Sequence, residues 1–438
     1  MGADIVLWML LLLLIQVFIG IHIGIALAFS SGLGVYLMLG SYEAAVSIMG
    51  NTAYEAVRKD VFAVIPLFVL MGDIISKSGA AGDLYRVCNR ALRKIPGRLA
   101  IATIAGNTVF AAVTGVSIAA AAAFSRIAYP EMKKLGYKDT FSVGAVAGSA
   151  CLGMLIPPSI LLIVWAILTE MSVGALFLAG IVPGIVLALL FAAYVVIAAK
   201  INPDVAPEPQ RSEIPSLEVL KRDELIGAGG ILFLIFLVIG GLWGGLFTPT
   251  EAAGFGALGA ILVGMVKGMT SKDLLEAIYQ AGKTTAPIMF LLIAAQMYSR
   301  LLALGGAINF IQSLFLGIGA EPWIIIALML IIWIILGMLV DSVSIILLTV
   351  PIFAPLALSL GYDPIAFAIA GILVIEAGLL TPPFGLLVYT VKGALPDKSV
   401  TLGQIFKGST PYFICILIAA MLVLLVPSLA TWLPNIAL

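Results

Sequence analysis

Gly153-Met154-Leu155-Ile156-Pro157-Pro158-Ser159 lies inside an apolar run, and a second version, Gly378-Leu379-Leu380-Thr381-Pro382-Pro383-Phe384, stands 225 positions further on. A proline pair removes two backbone donors and clashes with the preceding turn. A helix that carries one must break or kink, leaving carbonyls without intrahelical partners. In hydrocarbon, such backbone is tolerated where protein covers it or a cavity reaches it, and transporters use such breaks to hold ions and substrates. The plainer alternative is a simple kink, and it loses ground because two pairs occur in matched surroundings.

The composition supplies the hydrocarbon. Of 438 residues, 62% are hydrophobic and 11% charged, with a mean hydropathy of +1.19, far from the globular range. Apolar segments near the ~20 residues of a spanning helix recur, and the period-2 alternation of a membrane barrel is absent. The fold class is therefore an all-α polytopic membrane protein. The first segment, Ile5 to Ile19, has no basic leader and no small-residue cleavage site, so it reads as a mature helix. Cys88, Cys151 and Cys415 lack motif spacing, which argues against a disulfide scaffold or structural zinc. A net charge of zero gives nucleic acid no electrostatic invitation. His22, the only histidine, assembles no protease or hydrolase set, and no Gly-x-x-x-x-Gly-Lys-Ser/Thr stretch exists. The chain does not read as an enzyme, nor as a transporter that hydrolyses its own ATP.

Apolar helices are expected at about 3–21, 24–40 and 61–77, with an amphipathic arm at 41–60. The basic stretch from Lys77 to Arg98 follows, then a run over 99–134 that returns to Lys133, Lys134 and Lys138. Basic flanks are cytoplasmic, so this run is expected to be a re-entrant hairpin with its tip at Thr114-Gly115-Val116-Ser117. A broken helix at 139–169 and a span at 174–199 complete a first unit, 1–200. The polar segment 201–224 reads as a cytoplasmic linker. The second unit, 225–438, repeats the scheme with spans at 225–246 and 251–267, an arm at 270–283 and a span at 284–303. A hairpin at 322–360, a broken helix at 364–391 and a last span at 408–430 follow. In this layout only Arg58, Lys59 and Arg300 among the basic residues fall outside, which places both termini on the periplasmic or extracellular side.

The same offset of 225 pairs Pro157 with Pro382, Gly136-Tyr137 with Gly361-Tyr362, Pro130 with Pro355 and Ser117 with Ser342. The second hairpin, flanked by Glu321 and Asp363, opens outward whereas the first opens inward. The expectation is two inverted-topology repeats, each with a re-entrant hairpin and a broken helix, and a site at their interface near the midplane.

Each tip beside its break makes an oxygen-rich cluster. The first consists of Thr114, Gly115 and Ser117 with the backbone of Gly153 and Ile156. The second consists of Asp341, Ser342 and Ser344 with Gly378 and Thr381. Hydroxyls, freed carbonyls and one carboxylate suit a hard monovalent cation such as sodium, the only metal expected. Half-helix N-termini at the tips favour an anionic substrate near Ser117, Asp341, Pro157 and Pro382. Asp341 is the most informative residue, because a carboxylate between apolar runs is a functional hypothesis by default; its plainer role is a salt bridge within the hairpin. Glu376 and Asp73 are also embedded, and for both the plainer reading is a packing partner or a helix end. Arg300, a lone charge near the outer end of its span, either snorkels to the headgroups or reaches a substrate carboxylate. Only the second cluster has a carboxylate, so the two cation sites are not expected to be equivalent.

These residues give the chain a resemblance over its full length to the large membrane (M) subunit of tripartite ATP-independent periplasmic (TRAP) transporters. It rests on Phe247-Thr248-Pro249-Thr250-Glu251-Ala252-Ala253, Pro130-Glu131-Met132 with Gly136-Tyr137, Leu155-Ile156-Pro157-Pro158-Ser159, and Asp341-Ser342 with Thr381-Pro382-Pro383. Val116 departs from a Gly-Ser-Ser type of tip and leaves more to Ser117 and the backbone. The resemblance implies sodium-coupled import of organic acids such as C4-dicarboxylates or sialic acid across the bacterial inner membrane. The implied partners are a small four-helix membrane (Q) subunit and a soluble periplasmic binding (P) protein. It also implies an elevator-type ion-transporter-like fold, with hairpins and broken helices sliding against a scaffold. The chain starts directly with the first repeat, so the Q subunit is expected as a separate polypeptide. The alternative is a stand-alone sodium/divalent-anion symporter that needs no binding protein.

Overall fold

The computed structural model describes residues 2–207, 221–307, 310 and 321–437, and among them there is helix and no strand. Among the described residues, six helices are long and apolar enough to cross a membrane. A seventh is added if Asp60–Lys77 and Ala80–Ala91, bent by 68°, form one span. Helices α1 (Gly2–Phe18), α2 (Ile23–Leu39) and α3 (Tyr42–Arg58) lead into α4 (Val64–Lys77) and α5 (Ala80–Ala91). A first hairpin joins α6 (Arg98–Thr114) to α7 (Ser117–Lys134) through Gly115 and Val116. Next come α8 (Asp139–Ala150), a tight turn Cys151–Met154, α9 (Ile160–Thr169) and α10 (Val173–Ile201).

Beyond the linker lie α11 (Arg222–Trp243), α12 (Pro249–Val266) and α13 (Ser271–Leu304). The second hairpin pairs α14 (Pro322–Gly337) with α15 (Ser342–Ser359). Helices α16 (Pro364–Gly378) and α17 (Leu386–Ala394) flank the second break, and α18 (Leu402–Leu425) and α19 (Ser428–Ala437) end the chain. Most of the expected linker, residues 208–220, lies outside the described residues.

Local chemistry explains many of the boundaries. The Thr248-Pro249-Thr250-Glu251 motif is a capping box. Thr248 Oγ1 accepts from Glu251 N–H at 3.3 Å and Glu251 Oε2 accepts from Thr248 N–H at 2.8 Å, with Pro249 at the first helical position. Gly136 and Gly361 end α7 and α15 alike, at φ +76° and +84°. In each case the following tyrosine N–H reaches five residues back, Tyr137 to Met132 O at 3.0 Å and Tyr362 to Ala357 O at 3.1 Å.

One expected division is absent. The arm 270–283 and the span 284–303 form a single helix of 34 residues, α13, about 51 Å long at 1.5 Å per residue. Nothing between Lys283 and Ala286 stops a helix, and the only proline, Pro287, is carried inside it. In the first half Lys59 is extended, with ψ 125°, and separates α3 from α4.

The middle of the molecule is built from helices buried on every side. Every residue of α16 from Ala366 to Gly378 is buried, as is every residue of α8 from Phe141 to Ala150. Such helices belong inside a bundle and not at its lipid face. Small residues let them approach: a Cβ on Gly144 of α8 would lie 2.2 Å from Gly408 O of α18.

Candidate functional site

The first tip is closed on the first break by backbone. Ile160 N–H donates to Gly115 O at 3.3 Å. Gly115 adopts φ +62°, and a Cβ there would stand 2.4 Å from Pro158 O. Only glycine meets both demands. Gly153 completes the fit, since a Cβ on it would lie 2.9 Å from Ser117 N. Both proline pairs, Pro157-Pro158 and Pro382-Pro383, are cis. Ser159 Oγ donates to Met154 O at 2.5 Å and accepts from Leu162 N–H at 3.4 Å, so the residue after the prolines both satisfies a freed carbonyl and caps α9. Thr114, Gly115, Ser117, Gly153 and Ile156 are thus gathered in one buried region. The Thr114 hydroxyl donates back to Phe110 O at 3.1 Å.

The second region is arranged differently. Asp341 is the N-cap of α15: its Oδ1 accepts from Ser344 N–H at 3.0 Å and its Oδ2 from Ser344 Oγ at 2.5 Å. It is half-buried, and its observed role is a helix cap instead of the salt bridge considered from sequence. Thr381 Oγ1 donates to Gly378 O at 2.6 Å, and a Cβ on Gly378 would come 2.7 Å from Gly337 Cα. No hydrogen bond among the described residues joins Asp341 or Ser344 to Thr381. Pro382, Pro383 and Phe384 are exposed, whereas the first break is sealed.

Between the two tips stands a residue the sequence favoured as structural. Glu376, one turn before the second break, is 1% exposed. Ser342 Oγ donates to its Oε1 at 2.6 Å. Ser117, the offset partner of Ser342, reaches the same carboxylate, although its Oγ makes no hydrogen bond of good geometry. Cys151 Sγ lies 3.7 Å from the Glu376 carbonyl, and the two residues are themselves 225 positions apart. The signal was in the sequence: the rule that singled out Asp341 applies equally to a glutamate inside the apolar run Ile365–Ala377. Asn107, not singled out from sequence, donates to Ser149 Oγ at 2.6 Å behind the first tip.

Of two cavities that hold candidate residues, only one touches the tips. One of about 590 Å³ is lined by Asp341, Ser344 and Val116 with Thr284 and Pro287 of α13 and by His22. The other, of about 450 Å³, is lined by Arg300, Asn51, Glu55, Lys59, Gln296 and Ser299. Arg300 is therefore not brought together with the tips. It sits 16 residues beyond Thr284 on α13, about 24 Å along the axis. Pro157 and Ser117 are buried beneath the tip surface, and Pro382 lies exposed on the second break.

A bundle of apolar helices with two hairpin tips, interrupted helices and a cavity at the tips has the architecture of a membrane transporter permease. The chain belongs to the TRAP transporter family as its large membrane subunit: residues 6–429 match the family described as "Tripartite ATP-independent periplasmic transporter, DctM component". It is 32% identical to the C4-dicarboxylate TRAP transporter large permease protein DctM of Pseudomonas aeruginosa, over 87% of this chain and 88% of that one. It is 31% identical to the ectoine/5-hydroxyectoine permease protein UehC of Ruegeria pomeroyi, over 100% and 99%. Identity to the sialic acid permease protein SiaM of Vibrio cholerae is 26%, over 96% of each chain. Among solved structures, the Alcanivorax borkumensis YdaH transporter shares the fold at a TM-score of 0.62 and 13% identity, over 90% of this chain and 89% of that one.

Proposed function

We propose that this chain is the permease of a sodium-coupled importer of organic acids, working with a small membrane subunit and a periplasmic binding protein. Its place is the inner membrane, with both termini periplasmic. The observation that carries the reading is the convergence of both hairpin tips on the helix before the second break, where Ser117 and Ser342 both reach the Glu376 carboxyl. The first tip with Gly153 and Ile156, and the second with Gly378 and Thr381, supply the oxygens that sodium accepts. The two regions are inverted-topology repeats, and matched helix ends at Gly136 and Gly361 support that pairing. Relatives named for C4-dicarboxylates and sialic acid support a carboxylate substrate, while the ectoine relatives widen the set to be tried.

The cavity holding Asp341 meets α13 at Thr284, Pro287, Ile288 and Leu291, nearer than Arg300 to the end where Glu276 pairs with Lys77. With that basic end taken as cytoplasmic, our reading is of an inward-facing state. An elevator movement of the hairpins and broken helices along α13 would carry the tips toward the Arg300 cavity, where that guanidinium meets a carboxylate in the outward-facing state. The test is reconstitution into proteoliposomes with and without the two partners, using C4-dicarboxylates, sialic acid and ectoine in turn. Uptake requiring all three components is expected; equal uptake by this chain alone would support the stand-alone symporter.

A further inference from the structure

The cavity of about 590 Å³ at the tips has one carboxylate, Asp341, and no lysine or arginine among its described lining residues. Lys283, next to Thr284 in the chain, turns instead to the ring of Tyr279, 4.6 Å away. His22 uses Nδ1 to accept from Gly24 N–H at 3.3 Å, which leaves Nε2–H as a neutral donor. The two tips also differ as seats for an anion. The start of α15 is already taken, because the Asp341 carboxylate accepts the Ser344 N–H and hydroxyl. The start of α7, at Val116, has no side-chain cap, and its first N–H groups stay open to a carboxylate. Between the tips the wall is apolar, with Ile21, Ile118, Met154, Ile288 and Leu291.

We propose that this cavity takes an organic monocarboxylate with an apolar body, and not a dicarboxylate. The single carboxylate lies at the start of α7, and the carbon skeleton lies against the isoleucine and leucine wall, where burial of apolar area supplies the affinity. A second carboxylate would meet either that wall, where no cation offsets its lost hydration, or Asp341, which repels it. A sodium ion held in the second region is balanced by Asp341 itself and leaves no surplus charge for a substrate. The inference rests on the function proposed above for placing the substrate at the tips, and it adds the class of acid.

The test titrates the intact chain with its small membrane subunit, in sodium at neutral pH, with 4-methylpentanoate, succinate and ectoine, and reads the melting temperature. The binding protein is left out so that its own selection does not enter. The half-saturating concentration of 4-methylpentanoate is expected about tenfold below those of succinate and ectoine. Thr284→Arg places a cation in the cavity from an exposed position on α13, and should lower the succinate midpoint about tenfold. If that variant does not fold, the ranking in wild type decides alone. Succinate stabilising wild type as well as 4-methylpentanoate overturns the class and leaves organic-acid import standing. Ectoine doing so overturns the apolar body, because its cationic ring is then paired with Asp341. Equal stabilisation by 4-methylpentanoate with and without sodium supports the class and removes the sodium coupling proposed above. A chain that none of the three stabilises overturns the placement of substrate at the tips and this class with it.

Discussion

Ser342 donates its hydroxyl to Glu376 Oε1 at 2.6 Å, tying the tip of one hairpin to the helix that ends in the second break. Its offset partner Ser117 reaches the same carboxylate. The two regions therefore share a residue, and substitutions in either are expected to act on both.

Asp341→Asn keeps the cap of α15, since asparagine caps as well as aspartate, whereas Asp341→Ala removes it at about 1 kcal/mol. Both should weaken the sodium response severalfold, and only the alanine variant should lower the melting temperature. If both retain the wild-type sodium midpoint, Asp341 is a cap and nothing more.

Gly115→Ala places a methyl group 2.4 Å from Pro158 O at a residue with φ +62°. The tip can then no longer close on the break, and sodium activation of uptake should fall at least tenfold. Gly254→Ala is the control, because nothing lies within 4 Å of its Cβ position; it should transport like wild type.

Lys267→Ala leaves Asp83 with Arg86 alone. The Lys267 and Asp83 side chains are 5% and 3% exposed, and with Arg86 still in place the lost charged hydrogen bond costs about 2 kcal/mol. Thermal unfolding in detergent should show a clear drop, partly restored by Lys267→Ala combined with Asp83→Asn. No drop would mean that water reaches the pair.

Lys133 pairs with Asp397 and Asp139, binding α7 to the loop after α17. Hydrogen bonds from Lys133 and then from Ser399 hold the Asp397 carboxyl below the usual carboxylate range. A depressed carboxylate stabilises the fold above its ordinary pKa, about 4, and that contribution is lost as pH falls through the lower folded value. Melting temperatures measured down an acid series should therefore fall less steeply for Asp397→Asn than for wild type. Parallel curves would show that the pair contributes nothing measurable.

Most of the apolar helices and the breaks at both proline pairs were legible in the sequence because proline pairs and left-handed glycines act locally, whereas α5 was read only as a basic stretch and the last span was expected to run past the end of α18 at Leu425. What was not legible depends on distant packing. Helix α13 gives no internal signal of where an arm would end and a span begin, since the chain there has no stop residue. Glu376 looked like Asp73, an acid in an apolar run, until the fold set Ser342 against it. Arg300 and Asp341 both read as substrate contacts, yet they line different cavities, set against different stretches of α13. The Phe247–Ala253 motif identified the family while doing a structural job, the start of α12.

Uptake of a radiolabelled organic acid into proteoliposomes carrying the full tripartite complex tests the central claim most directly. With the binding protein loaded, an inward sodium gradient should drive accumulation above the outside concentration, and collapsing that gradient should abolish it. Accumulation that persists undiminished in sodium-free buffer without a membrane potential would contradict the account.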